Sequence, residues 1–472
     1  MTLKSQSPFG FALHPERPTL AVMTLAQPRR NQFPKINRRA RKADAPLLAQ
    51  LTRDWRVLCD EIGERRAGTD GERRAAEYII SQLRAAGADD ARSEGFPCTS
   101  VRTITSKVME PRGRSWRAVE SAALVGAPST PGSGMVEGPL VWLDFPEEAP
   151  RLRPASLRGC ILALFGPLPT SLELHRRLLA AEPLAVVHVD ERLPFAWTKN
   201  DGVYPYWAQH YGMLPTVTVP YQEAWRWKRE GVARLRVSVV VDPVAAESQN
   251  VIATFPGTDA SLPALAMSAH HDTQCGNVGA DDNASGVLCV LALARKLRGK
   301  RFKRTLQFLS FGTEEQLSVG SAAYVRANQV TPRTTGLLVN LDSVASPLGH
   351  FEMWVSGSEA LGRFAAAALA EREVYVQLRR EISPFFDTFP FNRAAVPSLG
   401  FMRPNFPGGR WQHHSSHDSL ANVSVEVLAK LVEGIAPLVA ALADQERWPF
   451  GSRLTALQQA QARKLGRELL GE

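Results

Sequence analysis

The chain has 472 residues, 44% apolar and 22% charged, the balance of an ordinary globular protein with a buried core and room for two or three domains. Its net charge of +9 points to a nucleic-acid partner only until it is located: residues 1–43 hold nine basic side chains against one acid, Glu16, so only +1 belongs to the rest. The body shows no basic stripe interleaved with aromatics, no run of about 18 apolar residues, and five cysteines without CxxC spacing, which argues against a nucleic-acid partner, a membrane span, a disulfide framework and a thiolate zinc site.

Residues 1–45 are Pro- and Arg-rich without apolar periodicity and read as a disordered basic tail. Phe9 to Leu13 is too short for the apolar core of a secretory signal, and Pro15 and Pro18 interrupt the next stretch. A cytoplasmic location is therefore the expectation, with secretion the alternative if the true amino terminus differs; a start at Met23 would leave an Arg-rich amino terminus. Residues 46–115 open the main domain. Leu47, Leu48, Leu51, Trp55 and Leu58, then Ala75, Ala76, Ile79, Ile80 and Leu83, recur at helical spacing around a turn-rich loop at 63–71.

Residues 116–243 have a different texture. Short β-like runs at 139–143, 160–165, 185–189, 217–219 and 235–241 are spaced by Pro and Gly turns around one helix, 172–181, which predicts a small β-rich inserted domain. From 244 to 445, apolar runs at 250–255, 264–269, 305–311, 336–342, 352–355 and 398–402 alternate with helical patterns at 286–297, 322–327, 360–371 and 425–441. That alternation predicts an α/β domain, a mostly parallel twisted sheet with helices on both faces. The tail 446–472 is amphipathic, suited to pack on the body or on a second subunit of a homo-oligomer.

Five short segments carry the chemistry: Ala-His-His-Asp (269–272), Gly-Ala-Asp-Asp-Asn-Ala-Ser-Gly (279–286), Thr-Glu-Glu (313–315), Asn-Leu-Asp (340–342) and His-His-Ser-Ser-His-Asp-Ser (413–419). They supply His270, Asp282, Glu315, Asp342 and His414. Two imidazoles and three carboxylates suit two divalent ions sharing one bridging oxygen ligand, a pair that activates water for amide hydrolysis. His270, Glu314 and Glu315 fall just after predicted strands and Asp342 at the end of one, where open α/β sheets place their sites. Asp272 follows His270 closely enough to orient its imidazole through the second ring nitrogen. Asp281-Asp282-Asn283 would serve as a helix cap alone, but its small neighbours also permit the close backbone approach a bridging carboxylate needs. Adjacent Glu314 and Glu315 repel unless a cation or proton intervenes. Glu315 reads as a ligand and Glu314 as the general base, because a base locked on metal cannot also take the proton.

Together these segments resemble the signature of metallopeptidase family twenty-eight, the co-catalytic zinc aminopeptidases grouped with glutamate carboxypeptidases and glutaminyl cyclases. The resemblance implies two Zn2+ ions, one on His270 and Asp342, the other on Glu315 and His414, with Asp282 bridging and Glu314 as base. Co2+ or Mn2+ would suit the same nitrogen and oxygen donors. The region 116–243 is similar to the protease-associated module of some members, best over 157–166. Two departures stand out. Ala421 sits where relatives carry an acid, and Phe386-Asp387-Thr388 replaces a more polar Ser-Asp-His segment, leaving Asp387 as a support behind the ligands. No tyrosine follows Tyr375, so the oxyanion donor is unassigned.

The expected function is a zinc exopeptidase acting on peptides, foremost an aminopeptidase. Phe385, Phe386, Phe389, Phe391, Phe401 and Trp411 read mainly as core; any that line the pocket would favour an apolar terminal side chain. Arg393, Arg403 and Arg410 offer carboxylate recognition, which would make a carboxypeptidase. One-zinc glutaminyl cyclisation and non-catalytic, receptor-like binding are the remaining alternatives.

Overall fold

A computed structural model describes residues 44–471 apart from 170, 191–194, 200, 203 and 407–409; the basic tail over 1–43 lies outside the described residues. Two helices open the chain, α1 (Ala45–Arg56) and α2 (Asp70–Ala85). Thr69 starts α2 by accepting a hydrogen bond from the Glu72 amide, while the Glu72 carboxylate accepts one from the Gly68 amide at 2.7 Å, so each satisfies a donor that the helix itself leaves open. Next come β1 (Arg92–Arg112), β2 (Ser115–Val119), β3 (Ala122–Ala123), β4 (Val136–Asp144), β5 (Ile161–Phe165), α3 (Leu172–Ala180), β6 (Ala185–Val189), α4 (Pro205–Tyr211), β7 (Thr216–Thr218), α5 (Tyr221–Glu230) and β8 (Arg234–Phe255). The remainder alternates: β9 (Ala264–His270), α6 (Gly286–Leu297), β10 (Leu306–Phe311), α7 (Val319–Ala327), β11 (Thr335–Leu341), β12 (Phe351–Ser356), α8 (Glu359–Ala370), β13 (Val376–Arg379), α9 (Thr388–Arg393), β14 (Ser398–Met402), α10 (Val425–Ala443) and α11 (Ala456–Leu470).

The fold is α/β, as expected. Strands β10, β9, β11 and β14 lie side by side and parallel, and β12 pairs antiparallel with β14 and parallel with β13. The residues of β9, β10, β11 and β14 form near-continuous apolar runs because both faces are covered. On one face α1, α2, α6, α8 and α10 bury Leu51, Ile79, Leu291, Leu369 and Ile435. On the other, Tyr324 of α7 and Phe391 of α9 pack over Leu338 and Phe311. The carboxyl ends of β9, β10 and β11 consequently open at one edge, where His270 ends β9 and Asp342 follows β11.

The structure departs from the sequence reading where the inserted strands join the main sheet through β8. The runs 235–241 and 250–255 are one strand, β8, which pairs antiparallel with β10 at its carboxyl half and with β4 at its amino half. Strand β1, absent from the sequence reading, pairs with β8 along most of its length. Few of its side chains are buried, so main-chain hydrogen bonds hold it and no apolar period marks it. The inserted strands β4 to β7 are parallel, and α4 and α5 join the expected helix. Helix α11 accounts for the amphipathic tail: Leu454 and Ala462 bury against Ile382 and Phe389. No disulfide links the described cysteines, and among the described residues no helix is long and apolar enough to cross a membrane.

Candidate metal centre

Loop 279–286 is pulled against the end of β11 by Asn283. Its amide donates to the Leu341 carbonyl at 2.9 Å, and its side-chain oxygen accepts from the amides of Gly286 at 2.9 Å and Ser343 at 3.2 Å. This approach leaves no room for a side chain at residue 286, where a Cβ would lie 2.2 Å from the Leu341 carbonyl oxygen. Asp418 accepts from the amides of Asp281 and Asp282 at 2.7 and 2.9 Å, and Asp281 accepts from Ala345 N at 2.8 Å and Gln412 at 3.0 Å. These two carboxylates are thus scaffold. From the other side, Asp272 accepts from the amides of Glu314 and Glu315 at 2.9 and 3.1 Å, which fixes the turn after β10. Thr313, Ser343 and His414 all hold left-handed backbone, at φ 55, 51 and 55, uncommon for non-glycine residues.

All five expected ligand residues converge, and Asp282 lies between two groups. Its Oδ1 is 3.2 Å from His270 Nε2, which is 3.9 Å from Asp342 Oδ1. Its Oδ2 is 3.5 Å from His414 Nε2, which is 3.0 Å from Glu315 Oε2. The two groups, His270–Asp282–Asp342 and Asp282–Glu315–His414, each have their donor atoms within 4.8 Å of one another. The Glu314 carboxylate flanks the first, with Oε2 3.8 Å from His270 Nε2 and Oε1 accepting from the Ser318 hydroxyl at 3.3 Å.

A cation suits this arrangement. His270 Nε2 and Glu315 Oε1 are buried and have no hydrogen-bond partner. Burial, with Asp387, Asp342 and Glu315 close by, pushes the Glu314 carboxyl well above the usual range despite His270. Burial and Asp282 likewise raise Asp342 to about 6. Positive charge between these carboxylates relieves both costs, and the nitrogen and oxygen donor set fits zinc.

Asp272 stands where it was expected, its Oδ1 3.4 Å and its main-chain oxygen 3.2 Å from His270 Nδ1. Asp387 is fully buried behind the same histidine, both oxygens without a hydrogen bond, and burial lifts its carboxyl to about 7 despite His270. Of the aromatic cluster, Phe386, Phe389, Phe391 and Phe401 are core, whereas Phe385 is 52% exposed.

Three neighbours were not foreseen. Arg410 donates to Asp282 Oδ2 at 2.9 Å, and His413 Nε2 lies 3.1 Å from the same oxygen. Against the effect of burial, Arg410 and the histidines hold the Asp282 carboxyl well below its usual range. The third, Asp201 of the inserted region, has Oδ1 2.7 Å from His414 Nδ1. The doubled histidine hinted at His413; nothing in the residues around Asp201 hinted at its role.

A family model described as "Peptidase family M28" matches residues 250–439. The chain is 23% identical to aminopeptidase YwaD of Bacillus subtilis over 244 residues, 50% of this chain and 53% of that protein, so the match spans about half of that relative. It is 23% identical to carboxypeptidase Q of Xenopus laevis over 77% of this chain and 79% of that one. A zinc aminopeptidase structure from Bacillus subtilis superimposes with a TM-score of 0.67 at 20% identity, over 87% of this chain and 98% of the other, and a peptidase M28 precursor from Shewanella amazonensis with 0.70 at 17%, over 87% and 97%. At these identities the superpositions speak for the fold. The matched segment runs from β8 through α10 and so contains every one of the five converging residues; over that segment the chain is similar to peptidase family M28.

Proposed function

We propose that the chain is a two-zinc aminopeptidase, with one ion on His270 and Asp342, the other on Glu315 and His414, and Asp282 shared. The observation that carries this reading is the position of Asp282, whose two oxygens face separate donor groups, as a bridging carboxylate requires. When bound, zinc would lower the pKa of a water and polarise the scissile carbonyl. Glu314 takes the proton of the attacking water and delivers it to the leaving amine. It suits that work because its carboxylate stands beside the donor groups without belonging to either. The hydrogen bonds from the Glu314 and Glu315 amides to Asp272 hold base and ligand in register.

The choice of peptide end rests on charge. The three arginines that offered carboxylate recognition are engaged within the fold. Arg410 is on Asp282, Arg403 donates to the Ser346 carbonyl at 2.7 Å and stacks over Phe351, and Arg393 packs against Gly466 of α11. Residues 116–243 are taken in the same reading as a protease-associated module.

The test is Glu314→Gln in the zinc-loaded protein, assayed on aminoacyl-anilides and on peptides with a free carboxyl terminus. Turnover should fall about 10²- to 10⁴-fold with zinc content unchanged. Undiminished turnover removes Glu314 from its role. Cleavage confined to carboxyl termini makes the protein a carboxypeptidase instead.

A further inference from the structure

The two metal-facing histidines are supported alike but from different parts of the chain. His270 turns Nδ1 to Asp272, two residues away on the same strand end, and Nε2 to Asp282. His414 turns Nδ1 to Asp201 at 2.7 Å and Nε2 to Glu315 at 3.0 Å, yet Asp201 lies 213 residues earlier, in the inserted region. A histidine that donates Nδ1–H to a carboxylate keeps its Nε2 lone pair for metal and has its ring plane fixed.

The Asp201 loop is anchored on both sides. Behind it, Lys199 pairs with Asp190 at 3.3 Å, both nearly buried, and the Lys199 carbonyl accepts from the Thr218 hydroxyl at 2.6 Å at the end of β7. In front, Phe195 and Trp197 stack at 4.3 Å and wedge against the segment that carries His414. Trp197 lies 4.0 Å from the His417 ring and 5.9 Å from Trp411, and Phe195 lies 5.7 Å from Phe406. Such contacts hold the loop beside the segment that carries His414.

We infer that the inserted region is a working part of the metal centre: Asp201 is the positioning residue for His414, and the Phe195–Trp197 wedge sets where that carboxylate stands. This rests on the two-zinc reading and extends it, because the affinity of the Glu315–His414 half is then governed from outside residues 250–439.

The experiment uses the full chain. Zinc stoichiometry and the two dissociation constants are measured by chelator competition for wild type, Asp201→Asn and Asp201→Glu, alongside the visible spectrum of the cobalt-substituted proteins and thermal unfolding of the zinc-free ones. Asp201→Asn should weaken one zinc about 10- to 100-fold and leave the other within about twofold. The absorption of a single cobalt should shift, and Asp201→Glu should recover part of the loss. Unchanged affinity for both ions overturns the inference. So does equal weakening of both with a lowered zinc-free unfolding temperature, which marks a merely structural residue. Loss of a third zinc also overturns it, making Asp201 a ligand with His413 and His414. If wild type binds a single zinc, the two-metal reading falls, while Asp201 is still judged on whether Asp201→Asn weakens that ion.

Discussion

Replacing Arg65 tests whether the centre depends on a buried scaffold remote from the motifs. Arg65 is fully buried, and its guanidinium donates to five carbonyls: His271 at 2.7 Å, Leu58 at 3.2 Å, Gly63 at 3.1 Å, Val278 at 2.6 Å and Gly279 at 3.1 Å. Three of these belong to the loop that runs from His270 to Asp282, so one side chain sets the span between two expected ligands. Hydrogen bonds from a charged donor contribute about 1.5–3 kcal/mol each, a gross gain of roughly 8–15 kcal/mol for five. Desolvating the guanidinium costs several kcal/mol in return. Arg65→Met keeps most of the volume, removes the charge together with its desolvation cost, and strands carbonyls of which those near Val278 can rehydrate. The expected net loss is about 3–5 kcal/mol, the cost of two or three buried carbonyls left without a donor at about 1–3 kcal/mol each. Urea unfolding of chelator-treated protein measures it without a contribution from bound metal. Arg65→Lys, with three donors for five carbonyls, should fall between. A loss below about 1 kcal/mol for Arg65→Met would show that the loop holds its shape without the guanidinium.

Gly286→Ala forces a Cβ within 2.2 Å of the Leu341 carbonyl and 2.3 Å of Asn283 Oδ1, so β11 and the 279–286 loop must separate. The cost should be about 1–3 kcal/mol in unfolding free energy, with weakened zinc binding; wild-type zinc affinity would mean the spacing is slack. Chelation should lower the melting temperature and abolish hydrolysis, with recovery on adding zinc; bound ion at a hundredfold excess over its dissociation constant contributes about 2.7 kcal/mol. On β1, buried Glu110 accepts from Arg117, Arg226 and Trp227 of the inserted region, which overcome burial and depress its carboxyl to about 2 from 4.5. A depressed carboxyl stabilises the fold fully above its unfolded value and loses that contribution as pH falls from 4.5 through about 2. Glu110→Gln should therefore flatten the acid limb of the stability profile in that window; an unchanged limb would assign the acid sensitivity to other groups.

Parts of the architecture were open to sequence reasoning because their determinants are local. Strands β9, β10, β11 and β14 are buried on both faces, so each must be a continuous apolar run, and each was read within a residue or so of its ends. Helix α6 matched its expected limits of 286–297. The long pair β1 and β8 was not legible, since its stability comes from main-chain pairing between segments more than a hundred residues apart, and exposed side chains carry no record of that.

The candidate site divides in the same way. His270, Asp282, Glu314, Glu315, Asp342 and His414 each sit in a short segment whose neighbours are constrained by the same backbone turn, so identity and spacing in the chain suffice to single them out. Which of them meet, with Asp282 between the two groups, is a matter of how strand ends align across the sheet. Arg65 and Asp201 lie further still from any motif. Each acts through contacts closed only by folding, 206 residues away for Arg65 and His271 and 213 for Asp201 and His414. Residue identity therefore determined which groups could hold a metal. Tertiary structure alone decided what holds those groups in place, because a hydrogen bond between distant segments leaves no periodicity in the chain that makes it.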